Sequence, residues 1–205
     1  LFGGAEDGAL RAHRLTIARH VDVPAEAFDE AKADRVLALG SRILQVADTP
    51  ADSPCGAVLL REGPIITFGT PGDGLDVVFT AADLSAVLAV DADIKIISAL
   101  GHCGGGGTST LVGCAPVGAP ANLVVDLDMP GDFDQARIWI HEFGHNQGLG
   151  HAELFQPKRV MSPGLTMTGG VEVAPFERPA YLGFGTLNPG EAVAPWPPQG
   201  AIVVR

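Results

Sequence analysis

The hydrophobic pattern opens with alternation. Apolar and polar positions alternate over residues 14–23 (Arg-Leu-Thr-Ile-Ala-Arg-His-Val-Asp-Val), with β-branched residues among them, which predicts a first strand after a loosely held arm of small and polar residues. Pro24 suits the first turn of a helix. From there to about Val46, the residues Phe28, Ala31, Val36, Leu39, Ile43 and Val46 recur at near-helical spacing, and Gly40 weakens that helix without cancelling it. Turn-forming residues make 48–54 a loop. Two short apolar runs, 57–60 and 64–68, flank Arg61-Glu62-Gly63 and predict a hairpin. A short strand at 75–79 follows, then a helix to about Leu88 opened by a Thr80/Asp83 capping box.

Residues 94–100 (Ile-Lys-Ile-Ile-Ser-Ala-Leu) read as a strand, and after a run of glycines so do 108–114 and 121–128. Asp132 then stands as a helix cap, with Gln135 three residues on completing the box. Phe133, Ala136, Ile140 and Phe143 would line the buried side of that helix, while Ile138, His141, Glu142 and His145 lean toward a cleft. Beyond Met161 proline and glycine dominate, leaving room for one short helix within 175–182.

Composition narrows the class. At 205 residues, 46% hydrophobic and 18% charged, the chain fits one globular domain able to bury a core, and no apolar run reaches the length of a membrane span. A net charge of −11 argues against nucleic acid and anionic membranes as partners, and a monomer is expected. The chain begins at Leu1, so a removed upstream segment, such as a signal peptide or pro-segment, is an expectation. Cys103 and Cys114 flank the glycine-rich segment and could close one disulfide, as suits an exported protein; the alternative is three free, partly buried thiols. Cys55 is the odd one, either buried or paired outside this chain. Asp73 and Asp76 could hold calcium, although the loop lacks the oxygen-ligand repeat of a calcium motif, which favours an ordinary turn.

The chemistry concentrates in His141-Glu142-Phe143-Gly144-His145-Asn146-Gln147-Gly148-Leu149-Gly150-His151. Histidines four apart share a helix face one turn apart and can bind one zinc, with Glu142 facing the metal's open side. Gly148 permits the turn that ends the helix and returns His151 as a third ligand. Three protein ligands leave a fourth position for water, the mark of a catalytic zinc rather than a structural one.

This stretch resembles the extended zinc signature of the metzincin metalloproteases, and Val160-Met161-Ser162-Pro163 looks like their methionine turn. Residues around His151 are most similar to the gametolysin and reprolysin types. The resemblance implies an α+β fold: a mixed twisted sheet with two main helices in an N-terminal lobe, and a small irregular C-terminal lobe. It implies one catalytic domain over 1–205, with an upper lobe 1–148 containing the zinc helix 132–148 and a lower lobe 149–205 carrying Met161. It further implies a secreted zinc endopeptidase, with His141, His145 and His151 as ligands and Glu142 as general base. A peptide or protein substrate would lie along the 108–116 edge strand, and Tyr181 would stand near the metal or the oxyanion. The other readings are a catalytically silent zinc-containing peptide-binding module and a zinc hydrolase of a non-peptide amide.

Overall fold

Asp93 breaks what reads as the first strand. It accepts hydrogen bonds from the N–H and the hydroxyl of Thr16, both at 2.7 Å. Thr16 is thereby drawn out of the ladder between β1 (Arg11–Leu15) and β2 (Ile17–His20), which enter different sheets. The computed structural model describes residues 10–45, 55–104, 111–126, 131–152, 159–163 and 171–193. The arm before Leu10, the 48–54 loop, the residues beyond Asp126 of the strand expected at 121–128, and residues 164–170 and 194–205 of the proline-rich C-terminal stretch lie outside the described residues.

Helix α1 (Glu30–Gln45) starts six residues later than the pattern predicts. Residues 24–29 form turns instead, and the Asp29 carboxylate accepts the Lys32 N–H at 2.7 Å, as an N-cap does. Gly40 is a crossing point: a Cβ there would lie 3.0 Å from Ile140 Cγ2, so α1 packs closely on the helix that follows later.

The expected hairpin at 57–60 and 64–68 does not form. β3 (Ala57–Arg61) runs parallel to β1, and β4 (Ile66–Phe68) runs parallel to β2. Helix α1 lies between the β1–β2 stretch and the β3–β4 stretch, and a crossover of that length commits the following strands to parallel pairing. Gly63, at φ +68°, adds a two-residue shift of register between the pairs, and the chain continues in one direction.

The main sheet has the order β4-β2-β6-β9-β8, with β6 (Ile94–Ile97), β8 (Gly113–Cys114) and β9 (Leu123–Asp126). Only β8 is antiparallel, and it occupies one edge. The predicted strand at 94–100 divides: β7 (Ala99–Leu100) leaves to pair with β5 (Val77–Val78). The capping box of α2 (Ala81–Leu88) forms as read, with Thr80 and Asp83 bonding reciprocally. β10 (Glu191–Ala192) pairs antiparallel with β1 on the side opposite β3.

β6 is buried along its whole length and includes Lys95, 1% exposed. Its ammonium donates to the Ala92 carbonyl and to Asn122 Oδ1. Burial draws Lys95 down to about 8. The folded chain therefore releases this proton before the unfolded chain does. The unfolded state then binds more protons between about pH 8 and 10.5, and this group makes stability rise with pH across that window. Lys95→Met should remove that rise, because at pH 7 it relieves the cost of burying the ammonium, against which the orphaned Asn122 Oδ1 costs about 1–3 kcal/mol. Urea unfolding of both proteins at pH 7.5 and 10 checks this; equal pH dependence in both would refute it.

Helix α3 (Asp132–Asn146) begins differently from expectation. Gly131 is its N-cap and no side chain caps it. The Asp132 carboxylate is taken by Arg35 Nε of α1, 2.8 Å away, so it pins two helices together rather than completing a box with Gln135. Phe133, expected on the buried face, is 46% exposed, whereas every residue from Gln135 to Asn146 is buried. α1, the sheet and Tyr181, the last residue of α4 (Arg178–Tyr181), close on it from several sides, so its polar residues are enclosed too.

Cys103 and Cys114 form a disulfide that anchors β8. Cys55 is a buried free thiol, pushed up to about 11 by burial and so an unreactive one.

Candidate metal centre

α3 carries His141 and His145 on one face, and its termination delivers His151. Gly148 sits at φ +90°, a conformation only glycine takes without strain. Leu149 N–H donates to the Gly144 carbonyl at 2.9 Å and Gly148 N–H to that of His145 at 2.8 Å, the bond pair of a Schellman ending. The returning chain is fastened where Ala152 N–H donates to the Met161 carbonyl at 2.7 Å.

The three imidazoles converge. His145 Nε2 lies 3.1 Å from His141 Nε2 and 3.2 Å from His151 Nε2. His141 Nδ1 is 2.7 Å from the Val160 carbonyl oxygen and His145 Nδ1 is 2.8 Å from that of Leu149. A carbonyl only accepts, so Nδ1 carries the proton in both neutral rings and the Nε2 lone pairs face each other. Burial draws His141 down to about 4 and lowers His145 and His151 as well, so the neutral form prevails at pH 7. Lone pairs at this separation repel unless a cation lies between them. Ligand nitrogens around tetrahedral zinc, each roughly 2.05 Å from the metal, are about 3.3 Å apart. The donor set fits zinc.

Glu142 is 6% exposed and burial pushes its carboxyl up to about 8. It lies against β8: a Cβ on Gly113 would come within 2.5 Å of Glu142 Oε1. Met161, fully buried, packs beneath Gly144, where an added Cβ would meet its sulfur at 2.5 Å and the Tyr181 hydroxyl at 2.6 Å. That hydroxyl donates to the Ile140 carbonyl at 3.0 Å and sits 3.2 Å from Met161 Sδ. The Tyr181 hydroxyl thus contacts the Ile140 carbonyl of α3 and the Met161 sulfur, while its backbone carbonyl lies 2.7 Å from His13 Nε2. His102 does not join the triad.

A second group, His20, Asp22 and Asp76, has donor atoms within 4.8 Å of one another. Both nitrogens of His20 are engaged, however: Nε2 with Asp73 Oδ1 at 2.9 Å and Nδ1 with the Asp22 N–H at 3.1 Å. The Asp73 carboxylate also accepts the N–H groups of Leu75 and Thr70, which hold its pKa down at about 2. These residues organise a loop, and calcium gains no support from them.

Two contributors to the site escape sequence reading, Gly113 and Gly144. The available signal is Gly144 itself, since a glycine inside a helix costs about 1 kcal/mol relative to alanine and marks close approach.

No family model matches the chain, and no curated protein sequence matches it. Among solved structures, a chaperone–substrate complex is similar over 76% of this chain and 28% of that chain, at 19% identity and a TM-score of 0.42. Archaemetzincin from Methanopyrus kandleri is similar over 90% of this chain and 98% of that one, at 14% identity and a TM-score of 0.52. The chain thus shares with archaemetzincin a mixed α/β fold, and within that fold it brings together a three-histidine group able to bind metal.

Proposed function

We propose that the protein is a zinc-dependent endopeptidase. The observation that carries this reading is the convergence of three imidazole Nε2 atoms beside a buried glutamate that packs under a sheet edge. His141, His145 and His151 would hold a zinc ion, which would supply Lewis-acid chemistry toward a water and a carbonyl oxygen. Glu142 takes the proton of the attacking water at its carboxylate and returns it to the leaving amine. Burial alone disfavours the carboxylate of Glu142, and the positive charge of a bound zinc would favour it, as the base role requires.

Among the described residues β8 pairs only with β9, so its outer side would offer backbone groups to an extended peptide adding to the sheet as one more strand. Residues 108–110 of the expected 108–116 edge lie outside the described residues. The Cys103–Cys114 bridge favours an oxidising, extracellular setting.

The test is a peptide-digestion assay on zinc-loaded protein with metal analysis, before and after a chelator. The expected result is about one zinc per chain and cleavage that stops on chelation and returns with zinc. Failure to retain zinc overturns the centre. Zinc without cleavage of casein or gelatin overturns the peptidase assignment and leaves a binding module or a small-amide hydrolase.

A further inference from the structure

We propose that Asn146 and Asn188 are positioning residues, two carboxamides that hold the edge strand β8 at a fixed height over the His141, His145 and His151 centre. Asn146 follows His145 directly and is fully buried. Its Oδ1 accepts the Asn122 N–H at 3.0 Å, and its Nδ2 donates to the carbonyls of Pro116 at 3.0 Å and Asn122 at 3.5 Å. Asn188 Nδ2 donates to the Ala119 carbonyl at 2.9 Å and to that of Asn146 at 3.3 Å, while its Oδ1 accepts the Ala121 N–H. Gly118 N–H donates to the His145 carbonyl at 2.8 Å. The segment from 116 to 122, which joins β8 to β9, is therefore held to α3 through these two side chains and one backbone bond.

A plain helix-ending role does not account for this arrangement. The C-terminus of α3 is already closed by the backbone bonds at Gly148 and Leu149, and every side-chain bond of Asn146 leaves the helix for the 116–122 segment. Asn122 carries the connection onward, since its Oδ1 accepts from Lys95 of β6 and its Nδ2 donates to the Leu88 carbonyl at 3.0 Å. β8 is thus held at its C-terminal end twice over, by the disulfide at Cys114 and by the carboxamides on the 116–122 segment. Immediately before these anchors, Gly113 rests against Glu142. Both asparagines accept at one end and donate at the other, a pairing that aspartate, of nearly the same shape, lacks.

The substrate part of this inference rests on the peptidase reading; the placement of β8 does not. Asn146→Asp and the less buried Asn188→Ala are made in the full chain, alongside Ile43→Val as a core control remote from the site. Amide hydrogen exchange at residues 111–114 should accelerate about tenfold in both asparagine variants, with α1 amides and zinc stoichiometry unchanged. For an extended peptide of about eight residues, KM should rise roughly tenfold, while turnover of a two-residue chromogenic substrate that does not reach along β8 stays within about twofold. Unchanged exchange at 111–114, or equal losses for the two substrates in step with the Ile43→Val control, overturns the proposal. If wild-type protein cleaves neither substrate, the peptidase reading has failed and the exchange result alone decides this one. Should Asn146→Asp fail to fold, Asn188→Ala carries the same comparison.

Discussion

The Glu142→Gln protein should fold, hold one zinc and cleave peptide about 10²–10⁴-fold more slowly than wild type. Glutamine keeps the shape of the side chain against Gly113 but has no basic oxygen to take a proton. Its stability should not suffer. Burial disfavours the carboxylate, so a neutral amide in the same 6% exposed position removes a desolvation cost rather than adding one. Three measurements separate the roles: kcat with a peptide substrate, zinc per chain, and the unfolding midpoint of the metal-free protein at pH 7. Undiminished kcat would end the assignment of Glu142 as base. Lost zinc with lost activity would instead make Glu142 part of site assembly.

The second large effect is expected from Gly144→Ala, and its sign is contrary to local preference. In an exposed helix interior this change gains about 1 kcal/mol. At Gly144 the new methyl would lie 2.5 Å from Met161 Sδ and 2.6 Å from the Tyr181 hydroxyl. Neither has room to retreat, because both side chains are fully buried and the hydroxyl is bonded to Ile140. Overpacking of this kind costs about 1–3 kcal/mol. Displacing Met161 also disturbs its neighbour Val160, whose carbonyl holds the His141 ring, so zinc affinity should fall with stability. Calorimetry with and without zinc reads both. A variant that melts higher than wild type and keeps its zinc affinity would show that the contact under α3 is slack.

Glu142→Gln changes a proton acceptor and leaves the packing alone; Gly144→Ala changes the packing and leaves every ligand in place. If both lose activity but only the second loses zinc affinity, chemistry and support are separable in this site.

Much of the centre is legible in the chain because its spacing is local. Histidines at i and i+4, a glycine three residues on and a histidine three beyond that specify a helix, its ending and the return of the third ring. The Thr80/Asp83 box and the Cys103–Cys114 pairing are legible for the same reason, each closing within a few residues or one short loop. The single strand expected over 14–23 and the hairpin expected at 57–68 fail for the opposite reason. Thr16 is drawn out of line by Asp93, 77 residues away, and pairing between strands depends on where the intervening helix returns the chain. Asp132 is a good cap by its neighbours, but Arg35 claims it.

What the sequence alone determined, then, is the three histidines able to bind a metal and the local geometry that presents them, because 3.6-residue periodicity and one glycine at positive φ suffice for both. Only the tertiary structure decided what surrounds them: the carbonyls that orient two rings, the burial of Glu142 against Gly113, and the sulfur and hydroxyl beneath Gly144. It also decided that carboxamides tie the edge strand to α3. Apart from the Leu149 carbonyl, 4 positions from His145, those contacts join residues from 17 to 69 positions apart, and a hydrogen bond or steric contact at that range leaves no periodic trace in a chain.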